Sequence, residues 1–520
     1  MKLVTSAEMR ELEAAAVAAG TSEAQLMQEA GLAVAQEAWM LLGTLEGRHI
    51  VILAGPGKNG GDGLIAARHL NDWGSGVTVY APLGRAPDDD LGELTAREIS
   101  VTDGASDLDG THLAQLLGSA DLVVDALLGI GNSREIDPEG PIAAALVKLA
   151  VARAGFNPPK VVAVDLPTGV NADSGAADAL TVPPDMTVTF GLPKVGMYQS
   201  PASALVGRVQ VIDIGIPKAS QEAVRLELLN ARWARQTLPS RPGDANKGTF
   251  GRVLVVGGSR NYIGAPRLVA TAAYRAGAGL VTIACPRNLI PSLAPALAEA
   301  TWLPQDESGE GTITGAAALA LRSQLRGFST VVFGPGLGDT DDTRALTWAL
   351  LPDFGIELPR GCVIDADALN ALASMPDAAE RTPGNAVLTP HPGEMARLLG
   401  TTVAEIQSRR LSAAREAADR FGCTVVLKGA HTIIAGRGGR AALSPFSNPL
   451  LATAGSGDVL AGAIGGYLAQ GVEPFEAASL GVYLHGAAGE SLRLELGESG
   501  LLANELADRI PRATKDIAAP

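Results

Sequence analysis

The sequence predicts two α/β domains, each built on a mostly parallel β-sheet with helices on both faces. Short continuous runs of Val, Ile and Leu alternate with segments long enough for a crossover helix, which is the pattern of strands buried on both faces. Glycine accounts for 62 of the 520 residues, and the excess lies in loops directly after these runs. Such loops bring backbone close to phosphate groups in α/β proteins.

Composition excludes several classes of protein. The 41 Lys and Arg against 56 Asp and Glu give a net charge of −15, and no basic cluster occurs, so we expect no nucleic-acid partner. No apolar run approaches the ~20 residues of a membrane-spanning helix, and the first residues do not resemble a secretory signal. We therefore expect a cytoplasmic protein with no membrane partner. The cysteines Cys285, Cys362 and Cys423 lack metal-site spacing, which predicts reduced core residues.

The N-terminal half begins with helices and continues with strands. Thr5 with Glu8, and Ser22 with Gln25, have the spacing of helix capping boxes. We predict a helix starting at Leu64, after the glycine-rich loop 54–64. The apolar runs predict strands within residues 49–55, 77–83, 120–129, 160–169, 186–191 and 208–215.

A polar segment separates the two halves. Residues 217–247 contain Pro217, Pro239 and Pro242 and no strand-like run, which indicates a domain boundary. We predict domains at 1–217 and 241–520, joined by a linker at 218–240. The second half has apolar runs that predict strands within residues 252–258, 279–286, 330–338, 362–370, 386–394 and 424–436.

The glycine loop AGPGKNGGDGL follows the first predicted strand. Backbone N–H groups at such a turn can hold an anion, although a tight turn with a capping Asp62 explains the loop about equally well. Asp125 and Asp165 end two further strands at the same edge of the sheet, where open α/β sheets bind ligands. Asn59, Asp125 and Thr168 could offer oxygen ligands to a hard cation, and Asp165 could transfer protons or bind a hydroxyl.

These motifs resemble a known family. GPGKNGGDG, VVDALLGIG and VDLPTGVNADSG, within residues 1–217, are similar to the NAD(P)H-hydrate epimerase family. That family interconverts the R and S epimers of hydrated NADH and NADPH, which carry a hydroxyl on C6 of the nicotinamide ring, and it holds a potassium ion. The resemblance implies a Rossmann-like three-layer domain and potassium at Asn59, Asp125 and Thr168. It implies hydrate binding by Lys58, Asn59, Gly60, Gly61, Asp62, Gly129, Ile130, Gly131, Asn132, Ser133, Arg134, Glu135 and Asp165.

Epimerisation at C6 passes through a planar or ring-opened state and needs a nearby proton carrier, for which Asp165 is the candidate. Lys58 departs from the family, which commonly has a second Asn there. A lysine has no acceptor, so Lys58 could contact a cofactor phosphate but not a cation.

The motif NPLLATAGSGDVLAGAIGGYLAQG, residues 448–471, carries a second candidate site. Small residues at 454–457 precede a predicted helix over 458–470, so the free N–H groups at its start could hold a phosphoryl group. Asp458 would stand beside them as a base, an arrangement suited to phosphoryl transfer to a hydroxyl. Helix capping would account for Asp458 but not for the small residues before it. The six histidines have no zinc-site spacing, so we expect no zinc.

The second half resembles the ribokinase-like NAD(P)H-hydrate dehydratase family over residues 241–520. GGSRNYIGA, GPGLG, DADALN, TPHPGE, KGAHT and NPLLATAGSGDVLAG carry the similarity. It implies dehydration of the S hydrate with ADP as phosphoryl donor, through a phosphorylated intermediate that loses phosphate, with magnesium on the nucleotide. It implies that the hydrate contacts Ala265, Gly336 or Gly338, His391 and Asp458. It implies that the nucleotide contacts Lys428, Gly429, Ala430, His431, Thr432, Gly455, Ser456 and Gly457.

Two alternatives remain beside a bifunctional repair enzyme. The second domain could be a vitamin-type hydroxymethyl kinase that releases a stable phosphorylated product. The first domain could be a non-catalytic binding module, although the presence of both Asp125 and Asp165 disfavours this. The alanine-rich amphipathic start could supply a subunit contact, and we expect a homo-oligomer.

Overall fold

The computed structural model describes residues 1–85, 89–131 and 135–518. The chain forms two compact units, one of residues 2–224 and one from Arg225 onward together with Met1. Within the described residues, no helix has both the length and the apolar character needed to cross a membrane.

In its described residues, the first unit has seven strands and seven α-helices. Its strands are β1 (His49–Ala54), β2 (Gly76–Ala81), β3 (Ser100–Asp103), β4 (Leu122–Ala126), β5 (Lys160–Val164), β6 (Met186–Phe190) and β7 (Arg208–Ile212). Its helices are α1 (Ser6–Ala18), α2 (Glu23–Leu42), α3 (Lys58–Asp72), α4 (Asp89–Ala96), α5 (Thr111–Ser119), α6 (Pro141–Arg153) and α7 (Lys218–Gln221). Short 3₁₀ turns occupy Gly104–Ser106, Val195–Tyr198 and Ala202–Ala204.

The sheet of the first unit is parallel throughout, in the order β3-β2-β1-β4-β5-β6-β7. Alternate side chains of β1 enter two different apolar clusters: Ile50 and Ile52 pack on the side of α2 and α3, and Val51 and Leu53 on the side of α5 and α6. Burial on both faces explains the continuous apolar runs. The strand order reverses between β1 and β4, so a crevice forms there at the carboxyl ends of the strands.

Up to residue 518, where the description of the chain ends, the second unit has ten strands. They are β8 (Leu226–Leu228), β9 (Arg252–Val256), β10 (Leu280–Pro286), β11 (Thr301–Gln305), β12 (Thr330–Phe333), β13 (Cys362–Ile364), β14 (Ala386–Leu388), β15 (Thr424–Leu427), β16 (Ile433–Ala435) and β17 (Ala441–Leu443). The sheet order is β11-β10-β9-β12-β13-β14-β15-β16-β17-β8, parallel from β11 to β15 and antiparallel on both sides of β16.

The α-helices of the second unit are distributed along its whole described length. They are α8 (Ala231–Thr237), α9 (Ala265–Arg275), α10 (Ile290–Leu293), α11 (Ala317–Gln324), α12 (Asp341–Glu357), α13 (Asp367–Ala373), α14 (Ala378–Arg381), α15 (Pro392–Leu399), α16 (Val403–Ser408), α17 (Arg410–Phe421), α18 (Ser456–Ala469), α19 (Pro474–Leu496) and α20 (Ala503–Ala518). Further 3₁₀ turns occupy Arg287–Leu289, Ala294–Ala296, Leu325–Gly327, Arg437–Gly439 and Pro449–Leu451.

The prediction of two α/β units with mostly parallel sheets is confirmed, and so are both capping boxes in α1 and α2. Three local predictions are wrong. The segment 218–240 is not strand-free, because β8 pairs with β17 in the second sheet. The run 424–436 is not one strand but two, β15 and β16, which pair antiparallel. The run 54–64 is not a loop up to Leu64, because α3 already begins at Lys58.

Candidate active sites

The first unit holds a cavity of about 760 Å³ at the point where its strand order reverses. The start of α3 and the segment after β4 form one side, and α1 and α2 form another. The lining residues include Arg10, Glu13, Glu23, Met27, Pro56, Gly57, Lys58, Asn59, Asp62, Leu127, Leu128, Gly129, Ile130, Gly131, Asp165 and Phe190. Four carboxyl side chains and two cationic side chains therefore face one cavity, within the described residues.

Glycines in the first turns of α3 let the helix pack closely rather than forming a loop. A Cβ on Gly60 would lie 1.9 Å from the carbonyl oxygen of Gly55, and one on Gly61 would lie 2.5 Å from Met27 Cε. Both glycines thus face protein instead of the cavity, whereas Lys58, Asn59 and Asp62 line it. The glycines of the motif therefore allow the start of α3 to pack closely against the backbone of Gly55 and the side chain of Met27.

Asp165 lies directly after β5, in an unusual backbone conformation. Its φ of +63° is in the left-handed region, and its N–H donates to the carbonyl of Val188 at 2.8 Å. The side chain is 7% exposed. Its Oδ1 accepts a hydrogen bond from Thr189 Oγ1 at 3.1 Å and a short ionic one from Lys194 Nζ. The carboxyl is thereby fixed at the cavity wall, and such strain at a buried carboxyl is typical of functional sites.

Lys194 is a site residue that the sequence reasoning missed. Its side chain is only 1% exposed, and besides Asp165 its Nζ donates to Thr189 Oγ1 at 2.9 Å and to the carbonyl of Phe190 at 3.2 Å. Three acceptors match the three hydrogens of an ammonium group. The geometry indicates a charged lysine paired with a charged carboxylate. A lysine inside the apolar run FGLPKVG, just after a strand, was a signal in the sequence.

Asp125, Thr168 and Asn59 gather around the turn that follows β4. Asp125 is 2% exposed and accepts hydrogen bonds from Thr168 Oγ1 at 2.6 Å and Thr168 N at 2.9 Å. Thr168 Oγ1 accepts from the N–H of Leu128 at 3.2 Å. The Asn59 side chain lies against Gly129 in the same turn, since a Cβ there would be 2.9 Å from Asn59 Oδ1.

This group of polar atoms is incompletely compensated. Burial raises the pKa of Asp125, and the hydrogen bonds from Thr168 and Leu127 oppose that rise. Asn59 Nδ2 is buried without a hydrogen-bond partner within the described residues. Among the residues that the structure describes, no lysine or arginine forms an ion pair with Asp125. A buried carboxylate, a hydroxyl and an amide without a cationic side chain suit a bound cation with oxygen ligands.

The segment after β4 is only partly described. Gly129, Ile130 and Gly131 line the cavity, and Arg10 on α1 donates from Nη2 to the carbonyl of Ile130 at 3.2 Å. Glu135 is exposed and does not line the cavity. The predicted hydrate-binding residues Asn132, Ser133 and Arg134 lie outside the described residues.

In the second unit, the small residues 454–457 form the start of α18. The N-cap is Gly455, whose φ of +87° is in the left-handed region, and Asp458 falls in the first helical turn rather than before the helix. A Cβ on Gly457 would lie 3.5 Å from Lys428 Nζ, so a lysine stands beside the helix N-terminus. Free N–H groups and an ammonium together favour an anionic group at this point.

Lys428 belongs to a cluster of charged side chains. Its Nζ donates to Asp365 Oδ1 at 2.8 Å and lies 3.8 Å from Glu394 Oε2. Burial alone would lower the pKa of Lys428, but Asp365 and Glu394 outweigh it and raise that pKa. Burial, reinforced by Asp365 and opposed by Lys428, raises the pKa of Asp458 to about 7. A carboxyl with this pKa can exchange a proton near neutral pH.

Glu394 and Asp367 are further site residues that the sequence reasoning did not single out. Burial raises the pKa of Glu394 to about 7, with Lys428 opposing. Asp367 Oδ2 accepts from the N–H of Gly338 at 2.8 Å, and burial raises the Asp367 pKa. Both residues lie within motifs, TPHPGE and DADALN, that already carried the family resemblance.

The predicted hydrate-contacting residues of this unit have different surroundings. A Cβ on Gly336 would lie 3.0 Å from Ala265 Cβ, so these two residues are neighbours. His391 is the N-cap of α15, where its Nδ1 accepts from the N–H of Gly393 at 2.9 Å. Burial lowers the pKa of His391, which favours a neutral ring with its proton on Nε2.

A second cavity, of about 430 Å³, adjoins the start of α18. It is lined by the predicted nucleotide residues Lys428, Gly429, Ala430, Thr432, Ser456 and Gly457, and by Phe446, Leu451, Leu460, Val482 and His485. His431 is not on this wall: its ring is buried with Nδ1 at 3.1 Å from the carbonyl of Ser444. The cavity has an apolar interior and one charged end at Lys428, as a nucleotide site requires.

Two family models match the chain. The model described as "YjeF-related protein N-terminus" matches residues 23–196, and the model described as "NAD(P)H-hydrate dehydratase" matches residues 253–512. Both matched regions contain the motifs quoted above.

Curated relatives match almost the whole chain. The bifunctional NAD(P)H-hydrate repair enzyme Nnr of Moorella thermoacetica is 41% identical over 99% of this chain and 97% of its own length. The enzyme of that name from Escherichia coli is 35% identical over 90% of this chain and 85% of its own. Among solved structures, the ADP/ATP-dependent NAD(P)H-hydrate dehydratase from Bacillus subtilis, co-crystallised with ATP and Mg²⁺, is 34% identical, covering 57% of this chain and 100% of that chain with a TM-score of 0.48.

Proposed function

Because the chain belongs to the family of bifunctional NAD(P)H-hydrate repair enzymes, we propose that the cavity beside Asp165 is its epimerase site and the start of α18 its dehydratase site. The enzyme has two activities: it interconverts the R and S epimers of hydrated NAD(P)H, and it dehydrates the S epimer to NAD(P)H. The pairing is chemically coherent, since a stereospecific dehydratase alone would leave the R epimer unrepaired.

One observation supports both site assignments. Each unit holds a carboxyl group withdrawn from water, the buried Asp165 or the partly buried Asp458, at a place where its fold binds ligands. Asp165 faces the cavity at the reversal of strand order, and Asp458 stands in the first turn of a glycine-led helix beside Lys428.

In the epimerase site, Asp165 is the proton acceptor for the C6 hydroxyl. Lys194 and Thr189 hold one of its oxygens, Oδ1, by hydrogen bonds. The wall formed by Lys58, Asn59 and Asp62 on α3 and by residues 129–131 binds the rest of the hydrate. Lys58 pairs with Glu23 at 2.8 Å at an exposed position, from which its ammonium can also reach a phosphate of the dinucleotide.

Asn59, Asp125 and Thr168 would hold potassium, which supplies a fixed positive charge beside the epimerase cavity. The buried Asp125 carboxylate without a cationic side chain supports this assignment. Asp125→Asn, which removes the charge at nearly constant volume, should abolish any dependence of epimerisation on potassium. Rates measured with potassium and with tetramethylammonium as the cation test this, and an unaltered potassium dependence in Asp125→Asn would exclude the site.

In the dehydratase site, Asp458 takes the proton of the C6 hydroxyl as that oxygen attacks the terminal phosphorus of the nucleotide. The bond between this phosphorus and the bridging oxygen breaks, and AMP leaves when ADP is the donor. The N–H groups at the start of α18 and the Lys428 ammonium hold the charge of the transferred phosphoryl group. Phosphate is a better leaving group than hydroxide, so the ring nitrogen lone pair can expel it from C6. Loss of a proton from C5 then completes the double bond of NAD(P)H.

The nucleotide lies in the 430 Å³ cavity with its phosphates toward Lys428. ADP is the proposed phosphoryl donor, and magnesium, when bound, shields the phosphate charge. Within the described residues, no three His, Cys, Asp or Glu side chains form a metal cluster, so the nucleotide phosphates would supply most of the ligands of magnesium. We place the epimerase in residues 1–217 and the dehydratase in 241–520, in a cytoplasmic homo-oligomer.

Two isosteric variants test the proposal. Asp165→Asn should abolish R-to-S conversion and leave nucleotide-dependent dehydration of the S hydrate intact, because each carboxylate acts in its own unit. Asp458→Asn should have the opposite effect. Chromatographic separation of the epimers and ultraviolet detection of NADH measure the two activities separately. If either variant keeps the activity of its own unit, the corresponding base is wrongly assigned.

A further inference from the structure

Glu13 on α1 is a cavity residue to which the epimerase site described so far gives no role. It lines the 760 Å³ cavity together with Asp165. It comes from a helix that precedes the family-model match, which begins at residue 23. The segment before this helix is anchored at Lys194: the N–H of Val4 donates to the carbonyl of Pro193 at 3.1 Å, and the N–H of Val195 donates to the carbonyl of Val4 at 2.9 Å.

The carboxyl of Glu13 differs from the other acidic groups of the cavity. Glu23 is paired with Lys58, and Asp165 with Lys194. Glu13 is half-buried, and within the described residues its carboxyl has no hydrogen-bond or ion-pair partner. An unpaired carboxyl that is partly withdrawn from water favours its neutral, protonated form.

The charges facing Glu13 come from several elements. Lys194 and Lys58 favour its ionised form, and Asp165 and Glu23 oppose it. Arg10, on the same helix, and Asp62, on α3, line the same cavity. Burial is the largest effect and raises the pKa of Glu13. The cavity thus contains one carboxyl that is paired with an ammonium and a second, Glu13, that retains its proton more readily than usual.

Epimerisation needs both kinds of carboxyl. The C6 hydroxyl and the ring nitrogen N1 share carbon C6, so breaking the C6–N1 bond requires a base at the hydroxyl and an acid at the nitrogen. We propose that Glu13 is the acid that protonates N1 while Asp165 accepts the C6 hydroxyl proton. This inference rests on the proposed role of Asp165.

The step conserves atoms and electrons. As Asp165 removes the hydroxyl proton, the O–H electrons form the C6=O bond and the C6–N1 electrons pass to N1, which takes the proton of Glu13. The product is a ring-opened aldehyde with a neutral enamine N–H. Rotation presents the other face of the aldehyde to N1. Ring closure returns one proton to Glu13 and delivers the Asp165 proton to the oxygen, so both carboxyls are restored and nothing is oxidised or reduced.

The test uses the full chain, the purified R hydrate and no nucleotide, so that only epimerisation is measured. Glu13→Gln keeps the size and hydrogen-bonding capacity of the side chain but cannot donate a carboxyl proton. Its kcat should fall by about 100-fold or more, the usual range for loss of a general acid. The wild-type rate should decline as the pH rises through the raised pKa of Glu13, and this decline should disappear in Glu13→Gln. Glu13→Asp should recover part of the rate.

Glu11→Gln is the matched control, because Glu11 lies on the same helix with an exposed side chain outside the cavity. It should retain the wild-type rate and pH profile, and thermal unfolding should confirm that both glutamine variants are folded. A Glu13→Gln enzyme with unchanged kcat and the same decline of rate with rising pH as the wild type would overturn the inference, even if its KM rose. If Asp165→Asn also retained activity, the proposed epimerase site itself would fail. If Glu13→Gln retained activity and Asp165→Asn lost it, the epimerase site would stand and only the role of Glu13 would be excluded.

Discussion

The buried pair of Lys194 and Asp165 determines the chemistry of the first unit at the residue scale. A lysine that is 1% exposed carries a large desolvation cost unless its charge is compensated, and here it meets a carboxylate, a hydroxyl and a carbonyl. The ammonium in turn fixes the position of Asp165 Oδ1 at the cavity wall. Lys194 therefore acts as a positioning residue through Asp165.

Lys194→Met should lower the epimerase rate at neutral pH by about 100-fold or more, the effect of losing a working general base. The fall should appear in kcat, because Asp165 Oδ1 loses the ammonium that fixes its position. Lys160→Met is the matched control, since Lys160 is an exposed lysine at the start of β5 whose ion pair with Asp185 contributes little. Rates of R-to-S conversion across pH measure both variants. An unchanged kcat in Lys194→Met would contradict this role.

The pKa of Asp458 gives a prediction for the second site. Burial raises this pKa to about 7, and Asp458 must be ionised to accept the hydroxyl proton. The kcat/KM for dehydration of the S hydrate should therefore be maximal above pH 7 and decline as the pH falls through about 7. Initial rates at saturating nucleotide across this range measure it. A rate that stays constant well below pH 7 would show that Asp458 is not the base.

At the scale of single elements, glycines determine how closely a helix packs against its neighbours. A Cβ on Gly63 in α3 would lie 2.7 Å from Ala126 Cβ and 3.2 Å from Ile52 Cγ2, whereas nothing lies within 4 Å of a Cβ on Gly118 in α5. Gly63→Ala should therefore destabilise the first unit by about 1–3 kcal/mol through overpacking.

Gly118→Ala is the control for Gly63→Ala, and it should leave stability unchanged or raise it slightly, because alanine favours the helix. The measurement is the loss of epimerase activity on heating, because this activity reports the unfolding of the first unit alone. Equal heat stability of the two variants would show that the close packing of α3 on β4 is not limiting.

The same packing explains which elements could be predicted from the sequence. Central strands such as β1 and β4 are buried on both faces, so their continuous apolar runs were sufficient to predict them as strands. Strand β3 escaped prediction because it is an edge strand with largely exposed residues. Strand β8 has only three residues, and its pairing with β17 is more than 200 positions away along the chain. No local pattern can report such a contact.

The sites show the same division between local and distant information. Asp165 and Asp458 could be predicted because each adjoins a strand end or a helix start within a continuous motif. Lys194 left only the weak signal of a lysine inside an apolar run, and its partner Asp165 lies 29 residues away along the chain. Glu13 left no signal, because only the folded chain brings its helix to the cavity of Asp165. The glycines of α3 misled the prediction of its start, since glycine suggests a loop unless close packing requires it.

On the scale of the whole molecule, the chain combines two reactions that act on one damaged cofactor. Relatives that match it over more than nine-tenths of their own length carry both domains in one polypeptide. Each unit has its own mostly parallel sheet, its own cavity and its own candidate carboxyl base, Asp165 or Asp458. Neither site borrows a described residue from the other, which predicts that the two activities can be removed independently.

The most direct test of this account is recovery of NADH from a mixture of R and S hydrates by the purified full chain, with either ADP or ATP. The near-ultraviolet absorbance of the reduced nicotinamide ring, which the hydrates lack, follows the reaction. The account predicts complete recovery with at least one nucleotide, because epimerisation supplies the dehydratase with S hydrate. Recovery that stops at the initial S fraction would contradict the epimerase assignment. No recovery with either nucleotide would contradict the dehydratase and favour a hydroxymethyl kinase.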